Sequence, residues 1–162
     1  LSFLWLFSSG FLISSAVLLI KIREINLNAI ILILLLLQFN DAFAYLFGKK
    51  FGKTYLFPTI SPNKSLEGYI FGGLGIAIGM TLLHTYIPIL SERSWTQDLL
   101  IFSTILIFGN VGDLMMSSLK RKLEIKDFSQ ILPGHGGMLD RFDNTFFIAP
   151  VFYLLLNHHL VL

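Results

Sequence analysis

Residues 27–47 read LNAIILILLLLQFNDAFAYLF. A bilayer core needs about 20 consecutive, mostly apolar residues to be crossed by a helix. This stretch meets that length without an Arg or Lys. It is not uniformly oily, because Gln38, Asn40, Asp41 and Tyr45 fall near its end. A carboxylate inside hydrocarbon costs on the order of 3 kcal/mol or more unless it pairs, binds a cation or faces water. The stretch therefore reads as a membrane helix whose last turns carry chemistry.

The rest of the chain agrees with that class. Of its 162 residues 54% are hydrophobic and 14% are charged, with a mean hydropathy of +0.73. Soluble domains carry roughly 25% charged residues. Further long apolar stretches lie near Leu1–Ile20, Glu67–Leu90, Asp98–Met116 and Asn144–Leu162. Together they predict one all-α integral membrane domain over residues 1–162, with about five transmembrane helices and a polar cavity at the cytoplasmic loops. The first stretch lacks a basic leading segment and a small-residue cleavage site, so it does not read as a signal peptide. The second and fourth connections hold nine of the twelve Lys and Arg residues. The positive-inside rule puts that side in the cytoplasm. A net charge of +2 gives no argument for nucleic acid. The absence of cysteine excludes disulfides and thiolate chemistry.

Asn110, Asp113 and Ser117 repeat the spacing of Gln38, Asp41 and Tyr45, so each set lies on one helix face. By distance from the ends of the apolar stretches, Asp41 lies deeper than Asp113. Both approach the basic loops. Carboxylates that hold divalent metal, beside Lys and Arg that hold phosphate oxygens, suit a metal-bound polyphosphate. In residues 61–65 (SPNKS) a turn leads into a helix with Ser65 as candidate N-cap, beside Lys64. For the lysines alone, an ordinary cytoplasmic connector that obeys the positive-inside rule is the better explanation. Gly68, Gly72, Gly75 and Gly79 give a small-residue stripe for helix packing or homodimerisation. His84 reads as an interfacial residue.

Residues 117–143, SSLKRKLEIKDFSQILPGHGGMLDRFD, concentrate both charge signs around a Pro-Gly-His-Gly-Gly turn. The glycines permit close approach of backbone to a ligand. His135 suits phosphate contact or proton transfer. Asp140 and Asp143 are three apart, a spacing that suits metal ligation or a solvated turn.

This segment resembles the signature of the phosphatidate cytidylyltransferases, also called CDP-diacylglycerol synthases. That pattern is Ser-x-apolar-Lys-Arg, four residues, Lys-Asp, a Pro-x-His-Gly-Gly turn, then Asp-Arg-apolar-Asp. Ser117, Lys120 and Arg121 open it here, Lys126 and Asp127 follow, and no position departs. Gly112-Asp113-Leu114, Asn40-Asp41-Ala42-Phe43-Ala44-Tyr45 and Ser61-Pro62-Asn63-Lys64-Ser65-Leu66-Glu67-Gly68 resemble further elements of the family. Departures are Ser65 for Thr, Leu66 for Trp and Ala42 for Thr or Ser. Family members are longer at the N-terminus, so the chain is expected to be the C-terminal portion.

The resemblance implies a nucleotidyltransferase of phospholipid biosynthesis in the bacterial inner membrane. It would transfer CMP from CTP to phosphatidate, releasing pyrophosphate and CDP-diacylglycerol. It implies Mg²⁺ with a second cation, held by Asp113 and Asp140, with Asp143 close in the signature. Lys120, Arg121, Lys126 and Arg141 would pair with phosphates, and His135 and Asp127 would orient them. Asn40, Asp41, Ser61, Lys64, Ser65, Gly136 and Gly137 would contact the nucleotide or line its cavity. Three other readings stay open: a CTP-dependent enzyme acting on another lipid phosphate or on a polyprenol, an ion transporter using Asp41 and Asp113, and an inactive remnant.

Overall fold

The computed structural model describes residues 2–58, 60–62, 64–86, 93–125 and 143–161, with backbone alone for residues 2–7 and 143. The elements are α1 (Ser2–Ile25), α2 (Leu27–Phe51), α3 (Leu66–Tyr86), α4 (Trp95–Thr104), a π-helical turn (Ile105–Gly109), α5 (Asn110–Lys122) and α6 (Asp143–Asn157). No strand occurs among the described residues. Among the described residues three helical rods are long and apolar enough to cross a membrane: α2, α3 and the continuous run Trp95–Lys122. Helix α6, at 15 residues, is shorter, and α1 spans 24. This is the architecture of an all-α membrane protein.

Local chemistry explains the boundaries. Asn26 separates α1 from α2 in an extended conformation, and its side chain accepts from the Asn28 N–H at 2.9 Å. Ser94 caps α4 through a full capping box with Gln97, which starts this rod three residues before the expected Asp98. Both α2 and α5 continue past their apolar stretches into Lys49-Lys50 and Lys120-Arg121-Lys122. Cations suit the negative end of the helix dipole. As a result Asp41 stands ten residues before the end of α2, and Asp113 nine before the end of α5. Each is thus roughly 14 Å from its helix end. Along their own helices the two acids thus stand at similar distances from the C-terminal ends.

The core is aliphatic, with Ile22, Leu32, Leu36, Ile76, Ile105 and Phe152 fully buried. Large apolar side chains also point outward, among them Ile13, Leu46, Ile70, Leu82, Ile107 and Leu154. That pattern suits hydrocarbon as the solvent. Helices α2 and α3 form the tightest pair. A Cβ on Gly72 would lie 2.6 Å from Asn40 Oδ1, and one on Gly75 would lie 2.6 Å from the Phe39 carbonyl oxygen. The glycine stripe is therefore used for packing within the chain. Phe47 and Phe71 stack across this interface with centroids 4.8 Å apart.

At the far end of α3, His84 is not a bare interfacial residue. Asp98 Oδ2 lies 2.9 Å from His84 Nε2, and Asp98 Oδ1 accepts from Arg93 Nε at 2.8 Å. The cluster ties α3 to α4. The Arg93 side chain is 3% exposed, so its charge depends on Asp98. Asp98→Asn is expected to destabilise the protein by about 3 kcal/mol, because it leaves a buried guanidinium without its counter-ion. Thermal unfolding in detergent reads this directly, and an unchanged midpoint would show that the pair contributes nothing.

Candidate active site

The C-terminal ends of α2 and α5 and the N-terminal ends of α3 and α6 meet at one end of the bundle. The connection from α2 to α3 is held there by its own backbone. The Leu66 N–H donates to the Thr54 carbonyl at 2.9 Å, and Tyr55 and Ser65 form an isolated antiparallel bridge. Glu67, in the first turn of α3, accepts from the Lys53 and Thr54 N–H groups at 3.1 and 3.2 Å. Ser65 is buried, and its Oγ accepts from the Gly68 N–H at 3.1 Å, the N-cap bond its position predicted. This fixed turn presents Lys64, whose Nζ forms an ion pair with Asp113 of α5.

Asn40, fully buried, stands at the centre. Its Nδ2 donates to Asp41 Oδ1 at 3.0 Å and, more weakly, to Asn110 Oδ1 at 3.4 Å. Asn144 Nδ2, on α6, donates to Asp41 Oδ2 at 2.9 Å. Asp113 and Lys64 are both close enough to act on the charge of Asp41. Polar groups from three helices and one turn thus converge here. Tyr69 adds a buried hydroxyl without a hydrogen-bond partner among the described residues, within electrostatic range of Asp113.

The π-helical turn sets this register. Its wider ring lets the Asn110 side chain take the Leu106 carbonyl, with Nδ2 donating at 2.6 Å. Such insertions cluster at functional sites. Gly112, next to Asp113, lets α6 approach, since a Cβ there would lie 2.5 Å from Phe147 Cβ.

The structure brings together Asn40, Asp41, Lys64 and Asp113. Gln38 and Tyr45, which share the helical spacing of Asp41, are exposed and stand apart from the network. Lys120 is half-buried in the last turn of α5. Arg121 is exposed and donates from Nε to the Ile60 carbonyl at 3.4 Å, which joins α5 to the turn that carries Ser61 and Lys64. Lys126, Asp127, His135, Gly136, Gly137, Asp140 and Arg141 lie outside the described residues, as does the side chain of Asp143. Spacing alone did not reveal Asn144 or Tyr69. The signal available was their adjacency to Asp143 and to Glu67-Gly68.

The helices of this membrane protein thus gather acids, amides and a lysine at one end of the bundle. The sequence profile of the cytidylyltransferase family matches residues 1–159, and the chain belongs to that family. Phosphatidate cytidylyltransferase of Aquifex aeolicus (strain VF5) is 41% identical over 138 residues, covering 85% of this chain and 51% of the relative. Phosphatidate cytidylyltransferase of Staphylococcus aureus (strain COL) is 42% identical over 136 residues, covering 83% and 51%. That of Staphylococcus epidermidis (strain ATCC 12228 / FDA PCI 1200) is 41% identical over 134 residues, covering 83% and 51%. The chain thus spans about half the length of these curated relatives.

Proposed function

We propose that this chain carries the catalytic half of a phosphatidate cytidylyltransferase, which transfers CMP from CTP to phosphatidate. The Lys64–Asp113 ion pair, held beside Asn40 and Asp41 at the end of a membrane bundle, is the observation that carries this reading. In the reaction a phosphatidate oxygen attacks the α-phosphorus of CTP. The new P–O bond forms as the bond to the β-phosphate breaks, and pyrophosphate leaves. Two anions must meet, so the site has to neutralise charge and hold both phosphates in line.

Lys64 faces a carboxylate here and can exchange it for a phosphate oxygen. Lys120 and Arg121, on the last turn of α5, would pair with phosphates, and so would Lys126 and Arg141 of the signature. His135 and Asp127 would orient them. Asn40, Asp41 and Ser61 supply polar contacts for the nucleotide, and Gly136 and Gly137 allow backbone approach. Ser65, with its hydroxyl on the helix cap, supports Lys64.

Mg²⁺ suits the donors available, which are all hard oxygens. Asn40 Oδ1 is buried without a hydrogen-bond partner among the described residues, an acceptor with spare capacity. Among the described residues no three acidic or histidine side chains converge, so the ligand set would draw on Asp113 with Asp140 and Asp143 of the signature. Bound there, Mg²⁺ and a second cation would neutralise phosphate charge. The basic ends of α2 and α5 support a site that faces the cytoplasm at the bacterial inner membrane, where CTP is available.

The test is CDP-diacylglycerol formation by the purified chain in lipid nanodiscs with Mg²⁺, labelled CTP and phosphatidate. Lys64→Ala is expected to raise the half-saturating CTP concentration about tenfold, the effect of one lost charge-assisted bond, with the phosphatidate requirement little changed. An unchanged CTP dependence would remove Lys64 from the nucleotide site. Absence of product together with absence of CTP binding would remove the reading itself.

A further inference from the structure

Asn144 is the first residue after the signature segment whose side chain the structure describes, and it is buried. Its amide reaches Asp41 Oδ2 at 2.9 Å, across 103 positions of sequence. Asn40 occupies the other oxygen, Oδ1, at 3.0 Å. Each oxygen of the Asp41 carboxylate thus receives one amide donor, and the two donors come from different helices. Donors on both oxygens fix the rotation of a carboxylate about its last torsion. Both donors are neutral amides, so neither brings a formal counter-charge to the carboxylate. Asp113 is treated differently, since its partner is the ammonium of Lys64.

One turn further along α6, Phe147 rests on Gly112, beside Asp113. The first turn of α6 therefore touches both acids' helices: α2 through Asn144, and α5 through Phe147. Asp143, which closes the signature, immediately precedes Asn144.

We infer that Asn144 is a positioning residue, which orients Asp41 and locks the start of α6, where the signature ends, against α2. This inference rests on the proposed function for its catalytic consequence, but the contact itself does not. An apolar residue would fill the same volume without holding the carboxylate.

Two measurements on the chain in nanodiscs test it. Asn144→Asp keeps the shape and sets two carboxylates face to face, so the unfolding midpoint is expected to fall by about 5 °C or more. Adding Asp41→Asn restores an amide–carboxylate pair in reverse and is expected to recover most of that loss. A midpoint unmoved by Asn144→Asp, or not rescued by Asp41→Asn, overturns the contact. In equilibrium dialysis with labelled CTP and Mg²⁺, Asn144→Ala is expected to weaken CTP affinity about tenfold, as loss of one hydrogen bond to a charged group would. A purely structural role would reduce the number of competent molecules and leave their affinity alone, so unchanged affinity overturns the positioning role. If the unaltered chain binds no CTP, the proposed function fails, and the melting series still decides the contact.

Discussion

Asp113→Asn is expected to lower CMP transfer about a thousandfold or more, equivalent to roughly 4 kcal/mol of transition-state stabilisation. The substitution keeps the shape of the side chain and removes its charge. Two consequences follow from the geometry. The site loses a carboxylate for the cations proposed for the reaction, and Lys64 loses its ion-pair partner. Both side chains are less than a third exposed, so the second effect also lowers stability, by about 1–2 kcal/mol. The double substitution Lys64→Met/Asp113→Asn separates the two. It removes the stranded ammonium, so the unfolding midpoint should recover while activity stays lost. Recovery of turnover along with the midpoint would reduce Asp113 to a partner for Lys64 and end its assignment to metal.

Gly75→Val is expected to lower stability by about 3 kcal/mol, because it wedges α2 from α3. An added Cβ would meet the Phe39 carbonyl oxygen at 2.6 Å and Phe43 Cβ at 2.8 Å. Neither is the free end of a flexible side chain, so the helices must move apart. That motion would also displace Asn40 and Asp41, one and two residues beyond Phe39. Gly73, two positions away on α3, is the internal comparison. A Cβ there meets only side-chain carbons of Leu106 and Phe102 at 3.5 Å or more. Gly73→Ala should therefore be neutral or slightly stabilising, since alanine favours helix by about 1 kcal/mol over glycine. Equal midpoints for the two variants would mean that α2 and α3 do not pack at backbone distance.

Much of the fold was legible from composition and spacing. Hydrocarbon as solvent demands long helices with internally satisfied backbones, so α2 and α3 follow from residues 27–47 and 67–90 almost without tertiary information. Their ends were less legible. Apolar runs stop where the membrane stops, whereas α2 and α5 continue into lysine and arginine that favour the helix C-terminus. The capping box from Ser94 to Gln97 starts α4 before the apolar run does.

The candidate site divides in the same way. Asn40, Asp41, Lys64 and Asp113 stand out in the sequence because polar side chains are expensive in an apolar chain. Helical spacing grouped Asp41 with Gln38 and Tyr45. The bundle instead turns Asn40 inward, because Gly72 leaves room for its side chain and Asn110 offers it an acceptor. The π-helical turn before Asn110 has no local sequence signature, and it sets which face of α5 carries Asp113 toward Lys64.

By itself the sequence determined the solvent this protein folds in, the helices it must form and the chemistry it gathers near one set of loops. Those depend on side-chain transfer energies and on motif spacing, both local quantities. Only the tertiary structure decided which amides hold Asp41, that Lys64 closes on Asp113, and that α6 bridges the two acids. The Lys64–Asp113 and Asn144–Asp41 contacts join residues 49 and 103 positions apart, and their geometry depends on where glycine lets helices approach and where a π turn shifts the register.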